Sequence, residues 1–88
     1  MKRFLNFELY KNFRETMNEE LDERISIDPE ICYGKTCIKA ARIPVQLILE
    51  LLEAGETIQG ILEMYPHITR EDILACIHYA RKLVERIA

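Results

Sequence analysis

The chain has no tryptophan, only three glycines and three prolines, and no block of charge of one sign in its 88 residues. Each scarcity excludes something. So little Gly and Pro rules out a collagen-like or low-complexity chain. The longest uninterrupted apolar run is Ile73-Leu74-Ala75-Cys76-Ile77, far short of the ~20 residues needed to cross a bilayer. Met1-Lys2-Arg3 opens like a signal peptide, but Asn6 and Glu8 break the apolar stretch at once. A cytoplasmic protein without membrane contact is expected. Twelve basic against fifteen acidic residues give a net charge of −3. The balance is even along the chain, so affinity for nucleic acid would have to come from a local patch.

What is present is apolar enough for one core, at 49% hydrophobic residues. A chain this short buries only about 60% of its unfolded surface, so its stability margin is thin and a homodimer is expected. Residues 4–23 read as a helix, with Phe7, Tyr10, Phe13 or Arg14, Met17 and Leu21 at three- and four-residue steps between charges. Phe4, Phe7, Tyr10 and Phe13 are four of the seven aromatic residues. That stripe wants a partner, either the core or another chain. Ile25-Ser26-Ile27 alternates like a strand and stops at Asp28-Pro29; residues 38–43 offer a second strand, with Tyr33-Gly34-Lys35 as the turn between.

Three helices follow. Pro44 suits the first turn of a helix over residues 44–54, with Val45, Ile48, Leu49 and Leu52 as its stripe and Gly55 as its C-cap. Residues 57–65 turn Ile58, Ile61, Leu62 and Tyr65 inward, and Pro66 ends that helix. Gly60 weakens it. Residues 69–88 carry Ile73, Ile77, Ala80, Val84 and Ile87 at helical steps, and Thr69 with Asp72 makes a capping-box start. A short helix, the link Pro66-His67-Ile68 and a longer helix form the helix-turn-helix pattern. In that arrangement the helix after the turn reads DNA, so Thr69, Arg70, His78, Arg81 and Lys82 are the candidate DNA-binding residues. Glu71 and Asp72 would repel phosphate there, and their plainer role is to favour the helix dipole.

The run from Ile25 to Val45 resembles the signature of a small prokaryotic family, DUF433. That pattern is an apolar strand, Asp-Pro, a Gly-Lys-Pro turn, Ile, then Gly-Thr-Arg-Ile-Pro-Val. Here Asp28, Pro29, Gly34, Lys35, Arg42 and Pro44 stand at its positions, and Tyr65-Pro66, Thr69, Asp72-Ile73 and Tyr79-Ala80 continue the likeness. The resemblance spans residues 25 to about 82. It implies a mainly α protein, a homeodomain-like three-helix bundle over residues 24–88 preceded by a short β-hairpin, with residues 1–23 as an N-terminal helical extension. It also groups the chain with VapB-type antitoxins, many of which sit beside a PIN-like ribonuclease toxin. Thr36 stands where the family has Pro, Ala40 where it has Gly, and Ala41 where it has Thr. Loss of that Gly implies that position 40 does not need positive φ, or that it tolerates the strain.

Other chemistry finds less support. Gly34-Lys35-Thr36 ends like a phosphate loop, but Pro29 occupies the place of the required Gly. Cys32 and Cys37 have four residues between them, and Cys76 and His78 point from different faces of a helix, so no metal site and no cofactor are expected. An odd number of cysteines points to free, buried thiols. Asp28 and Arg42 are expected to form an ion pair fixing the hairpin. No enzyme and no small-molecule substrate are expected.

Two functions remain. One is an antitoxin that binds a PIN-like toxin through Phe4, Phe7, Tyr10, Phe13 and Met17, and operator DNA as a dimer. The other is a homo-oligomeric interaction module that keeps the helix-turn-helix shape without binding DNA.

Overall fold

The computed structural model describes residues 7–87, and side chains from residue 15 onward apart from Tyr33. The elements run α1 (Phe7–Glu23), β1 (Ile25–Ser26), a 3₁₀ turn (Cys32–Gly34), β2 (Cys37–Ile38), β3 (Ile43–Pro44), α2 (Val45–Glu53), α3 (Ile58–Met64) and α4 (Arg70–Ile87). The fold is mainly helical with one small sheet.

The sheet differs from the expected two-stranded hairpin. Its order is β1-β2-β3, antiparallel throughout, with Ile25 opposite Ile38 and Ile38 opposite Ile43. A single strand over residues 38–43 does not form. Lys39 still donates its N–H to the Arg24 carbonyl at 2.8 Å, but the chain then reverses, and Arg42 N–H closes the turn on the Ile38 carbonyl at 2.7 Å. Ile38 is fully buried at the start of that turn. The reversal thus brings Ile43 back beside it rather than carrying the strand out into water. Positive φ falls on Arg42, at 55°, and not on Ala40, so the missing family Gly at position 40 leaves no strain there.

Every helix of the second half closes on one core of Ile38, Val45, Ile48, Ile61, Ile68, Ile73 and Cys76. Pro44 is both the end of β3 and the N-cap of α2 (φ −61°, ψ 137°), where its absent N–H removes nothing. At the other end Gly55 sits at φ 96°. Its N–H reaches the Leu52 carbonyl and the Glu56 N–H that of Leu51, both at 3.0 Å, which is a Schellman closure. Thr57 caps α3 by accepting the Gly60 N–H at 2.9 Å. The capping box of α4 is reciprocal: Thr69 Oγ1 accepts from Asp72 N–H at 3.2 Å, and Asp72 Oδ2 accepts from Thr69 N–H at 2.9 Å.

The expected ion pair between Asp28 and Arg42 is not formed. Asp28 Oδ1 accepts the Glu30 N–H at 2.8 Å, a local turn bond that orders less chain than a reach across the hairpin. Arg42 is exposed, and what it contributes to the turn is its carbonyl, which accepts from Cys32 Sγ at 3.0 Å.

The carboxylate that joins the two halves of the chain is Asp72. It is buried, and its Oδ1 accepts from Arg24 Nη1 at 3.1 Å, across 48 positions of sequence. Arg24 sits between α1 and β1 and also holds Glu20 at 3.4 Å. Removing the carboxylate would uncap α4 and leave the half-buried guanidinium without its main partner. Asp72→Ala is therefore expected to cost about 2–3 kcal/mol in urea unfolding. Asp72→Asn, which keeps an acceptor for the cap, is expected to cost about 1 kcal/mol.

Candidate functional site

The residues proposed to read DNA lie along α4, and the structure separates them. Thr69 spends its hydroxyl on the cap. Arg70 is exposed at the start of the helix and pairs with no described residue. His78 is buried, only 6% exposed. Its Nε2 lies 2.9 Å from Asp22 Oδ1 on α1, which makes that nitrogen the donor and leaves Nδ1 to accept from Arg81 Nη2 at 3.2 Å. Arg81 is also paired with Glu85. Lys82 Nζ donates to both oxygens of Asp22, at 3.0 and 3.1 Å. Three of the five candidates thus form one network against α1, away from Arg70.

Asp22 and Arg24, which make these contacts, were not among the candidate residues. Their partners lie 56, 60 and 48 positions away, and no local pattern encodes a contact at that distance. Burial pulls the Asp22 carboxyl upward, but the hydrogen bonds and charges of Lys82 and His78 outweigh it and hold the group below its ordinary 3.8.

The apolar stripe of α4 is inward over only part of its length. Ile73 is fully buried, whereas Ile77 is 42%, Val84 63% and Ile87 86% exposed, with Leu83 beside them at 40%. Helix length explains this. α2 has nine residues and α3 seven, against eighteen in α4. At 1.5 Å per residue they span about 13 and 10 Å, against about 27 Å. The short helices cannot run the whole length of α4, and Ile77, Val84 and Ile87 are left exposed.

Of the aromatic partner-binding candidates, Phe4 lies outside the described residues. Phe7, Tyr10 and Phe13 fall on α1, with side chains that also lie outside them. Met17 is half-buried, as is Leu21.

The signature residues gather at the sheet. Pro29, Lys35, Arg42 and Pro44 line an open cleft of about 690 Å³ with Glu30 and Cys32. Gly34 closes the 3₁₀ turn beneath it at φ 83°, and Asp28 holds the turn before it. The profile of one family, described as a protein of unknown function (DUF433), matches residues 25–80. The chain belongs to the DUF433 family. No curated protein and no solved structure compared with it matches. The DUF433 region begins at β1 and ends within α4, so the Asp22 network reaches outside it on both sides, through α1 and through Lys82.

The thiols of this DUF433 protein are free, but not all buried as expected: Cys37 and Cys76 are, while Cys32 is half-buried at the cleft. Its residue takes φ 54° and turns the sulfur onto the Arg42 carbonyl rather than into the core. Burial, reinforced by the neighbouring Cys32 and opposed by Arg42, pushes Cys37 up to about 11. Burial and the Asp72 charge push Cys76 up to about 12. Iodoacetamide at pH 8 is expected to label Cys32 alone in the folded protein, with the other two reacting only after unfolding, as read by peptide mass spectrometry.

Because Asp22 titrates below 3.8 in the folded chain, its contribution is complete above the unfolded value and is lost as pH falls through the folded one. The stability difference between wild type and Asp22→Asn, measured by urea titration, should therefore hold from pH 7 to 5 and narrow below about pH 4.

Proposed function

We propose that this protein is the antitoxin of a type II pair, of the VapB kind, with α2, α3 and α4 as a homeodomain-like helix-turn-helix and α1 as the segment that docks on a PIN-like ribonuclease. The observation that carries the reading is the course of α1. Asp22 meets His78 and Lys82 while Arg24 meets Thr69 and Asp72, so α1 runs antiparallel to α4. From Asp22 to Phe7 is fifteen residues, and from the middle of its contact on α4 to Ile87 is about seven. At 1.5 Å per residue, an α1 that keeps to the line of α4 reaches about 12 Å past its end. That overhang carries positions 7, 10 and 13, where the sequence has Phe, Tyr and Phe. An amphipathic helix standing clear of its own domain is suited to lie in a partner's groove. In this mechanism the docked helix covers the toxin's acidic, metal-dependent site, and the ribonuclease chemistry belongs to the toxin.

The alternative is an oligomeric interaction module that never touches DNA. It is favoured by the burial of His78 and the capture of Lys82 by Asp22, which leave Arg70 as the unpaired cation among the five candidates.

Tagged full-length protein, drawn from nuclease-treated lysate of its native host, is expected to recover a small PIN-like protein near one to one. The variant Phe7→Glu/Tyr10→Glu/Phe13→Glu is expected to lose it while keeping the helical circular dichroism. Retention of the toxin by that variant would remove α1 from the role. Fluorescence anisotropy with operator DNA separates the two readings. An antitoxin that represses its own operon binds with an affinity falling steeply between low and moderate salt, and Arg70→Ala weakens it. Binding unchanged by Arg70→Ala and Arg81→Ala excludes this face as the DNA contact.

A further inference from the structure

We infer that Cys32 and Cys37 are a redox pair, closed into a disulfide by hydrogen peroxide beside the cleft that carries Lys35 and Arg42. The sheet register brings the two together. Cys37 stands directly opposite Pro44 on the β2–β3 ladder, and opposed residues of an antiparallel pair project to the same face. Pro44 and Cys32 in turn line one cleft, which sets both sulfurs on one side of the sheet. Their thiols are hydrogen-bonding neighbours there. Cys76 has no such companion: it belongs to the helical core, and the charge that acts on it is Asp72.

The backbone around the pair is held in an uncommon state. Cys32 (φ 54°) and Arg42 (φ 55°) are the two non-glycine residues with positive φ among those described. They are also the two ends of one contact, in which the Cys32 thiol donates to the Arg42 carbonyl at 3.0 Å. Strain of this kind gathers at working sites. A thiol is a weak donor, so capping one carbonyl does not by itself account for two left-handed residues.

Access assigns the order of events. Cys32 is half-buried at the cleft, whereas Cys37 is fully buried, so Cys32 meets the oxidant first. Its thiolate sulfur takes one peroxide oxygen: the S–O bond forms, the O–O bond breaks, and hydroxide leaves to be protonated to water. The Cys37 sulfur then attacks the sulfenic sulfur. The S–S bond forms, the S–O bond breaks, and the departing hydroxide leaves as water with the proton that Cys37 loses. Two thiols and one peroxide thus give one disulfide and two waters. Closure takes the donor away from the Arg42 carbonyl and ties the 3₁₀ turn to β2, so the cleft differs between the two states. In a reducing compartment such a disulfide is transient and sensory. The inference rests on the sheet and is independent of the antitoxin reading.

Peptide mapping of the full chain tests it. The folded protein is treated at neutral pH with a small excess of hydrogen peroxide, blocked with iodoacetamide, then unfolded and digested with trypsin without reduction. Lys35 lies between the two cysteines, so cleavage there leaves residues 25–35 and 36–39 joined only by the new bond. The expected product is that linked pair, about 2 Da lighter than the two free peptides together, with Cys76 still a thiol and full reversal by dithiothreitol. In Cys37→Ser the second step is absent, and dimedone is expected to trap sulfenic acid at Cys32 at least about tenfold more than in wild type. The map uses the wild-type chain, so it decides the question even if Cys37→Ser does not fold. No link between the two peptides, a disulfide that includes Cys76 or joins two chains, or equal dimedone labelling of a folded Cys37→Ser and wild type would each overturn the inference.

Discussion

The structure turns on one buried carboxylate. Asp72 satisfies the N-terminus of α4 through Thr69 and, with its other oxygen, holds Arg24 where α1 passes into β1. A buried charge is stable only when paired and hydrogen-bonded, so this one constrains both ends of the chain at once. It sets where α4 begins, and it draws Arg24 to the base of that helix. From there β1 continues into its pairing with the fully buried Ile38. The guanidinium is not perfectly served, since its Nε is buried without a partner. The position is held by Asp72 rather than by a complete set of bonds.

With α4 anchored at its first turn, its length decides the rest. The nine-residue α2 and the seven-residue α3 are too short to run the length of its eighteen residues. Beyond them, α4 is left with two unlike sides. One is polar and taken by α1 through Asp22, His78 and Lys82; the other is apolar and open at Ile77, Val84 and Ile87. A DNA-reading helix needs free hydrogen-bonding side chains along its outer face. Here His78, Arg81 and Lys82 bond one another, Glu85 and α1, which leaves Arg70 free, and the exposed strip at Ile77, Val84 and Ile87 is apolar. The DUF433 region supplies the sheet and the bundle, and the additions on either side of it supply the α1 network and the end of the apolar strip.

Much of the architecture was legible in the residues because it is written in local chemistry. Thr69 with Asp72, Gly55 after α2 and Pro66 after α3 marked helix ends that the structure repeats within a residue or two, since each acts on backbone groups a few positions away. The signature residues were recognisable for the same reason, being a continuous run. The second strand was misread because residues 38–43 alternate too weakly to show a break. The reversal there depends on Ile38 being buried, which is a fact about the core. The Asp28–Arg42 pair failed because Asp28 found a donor two residues on.

By itself, then, the sequence determined four helices, a short sheet, the caps, a single core and membership of a family, all consequences of periodicity and of residues acting on near neighbours. Only the tertiary structure decided which side of α4 is free. His78 and Lys82 look available along the chain, and Ile77, Val84 and Ile87 look buried, yet the reverse holds. Exposure of a helix face is fixed by the lengths and courses of the elements packed around it. No spacing within α4 records that α2 and α3 stop short of its end, or that Asp22 arrives from 56 residues away.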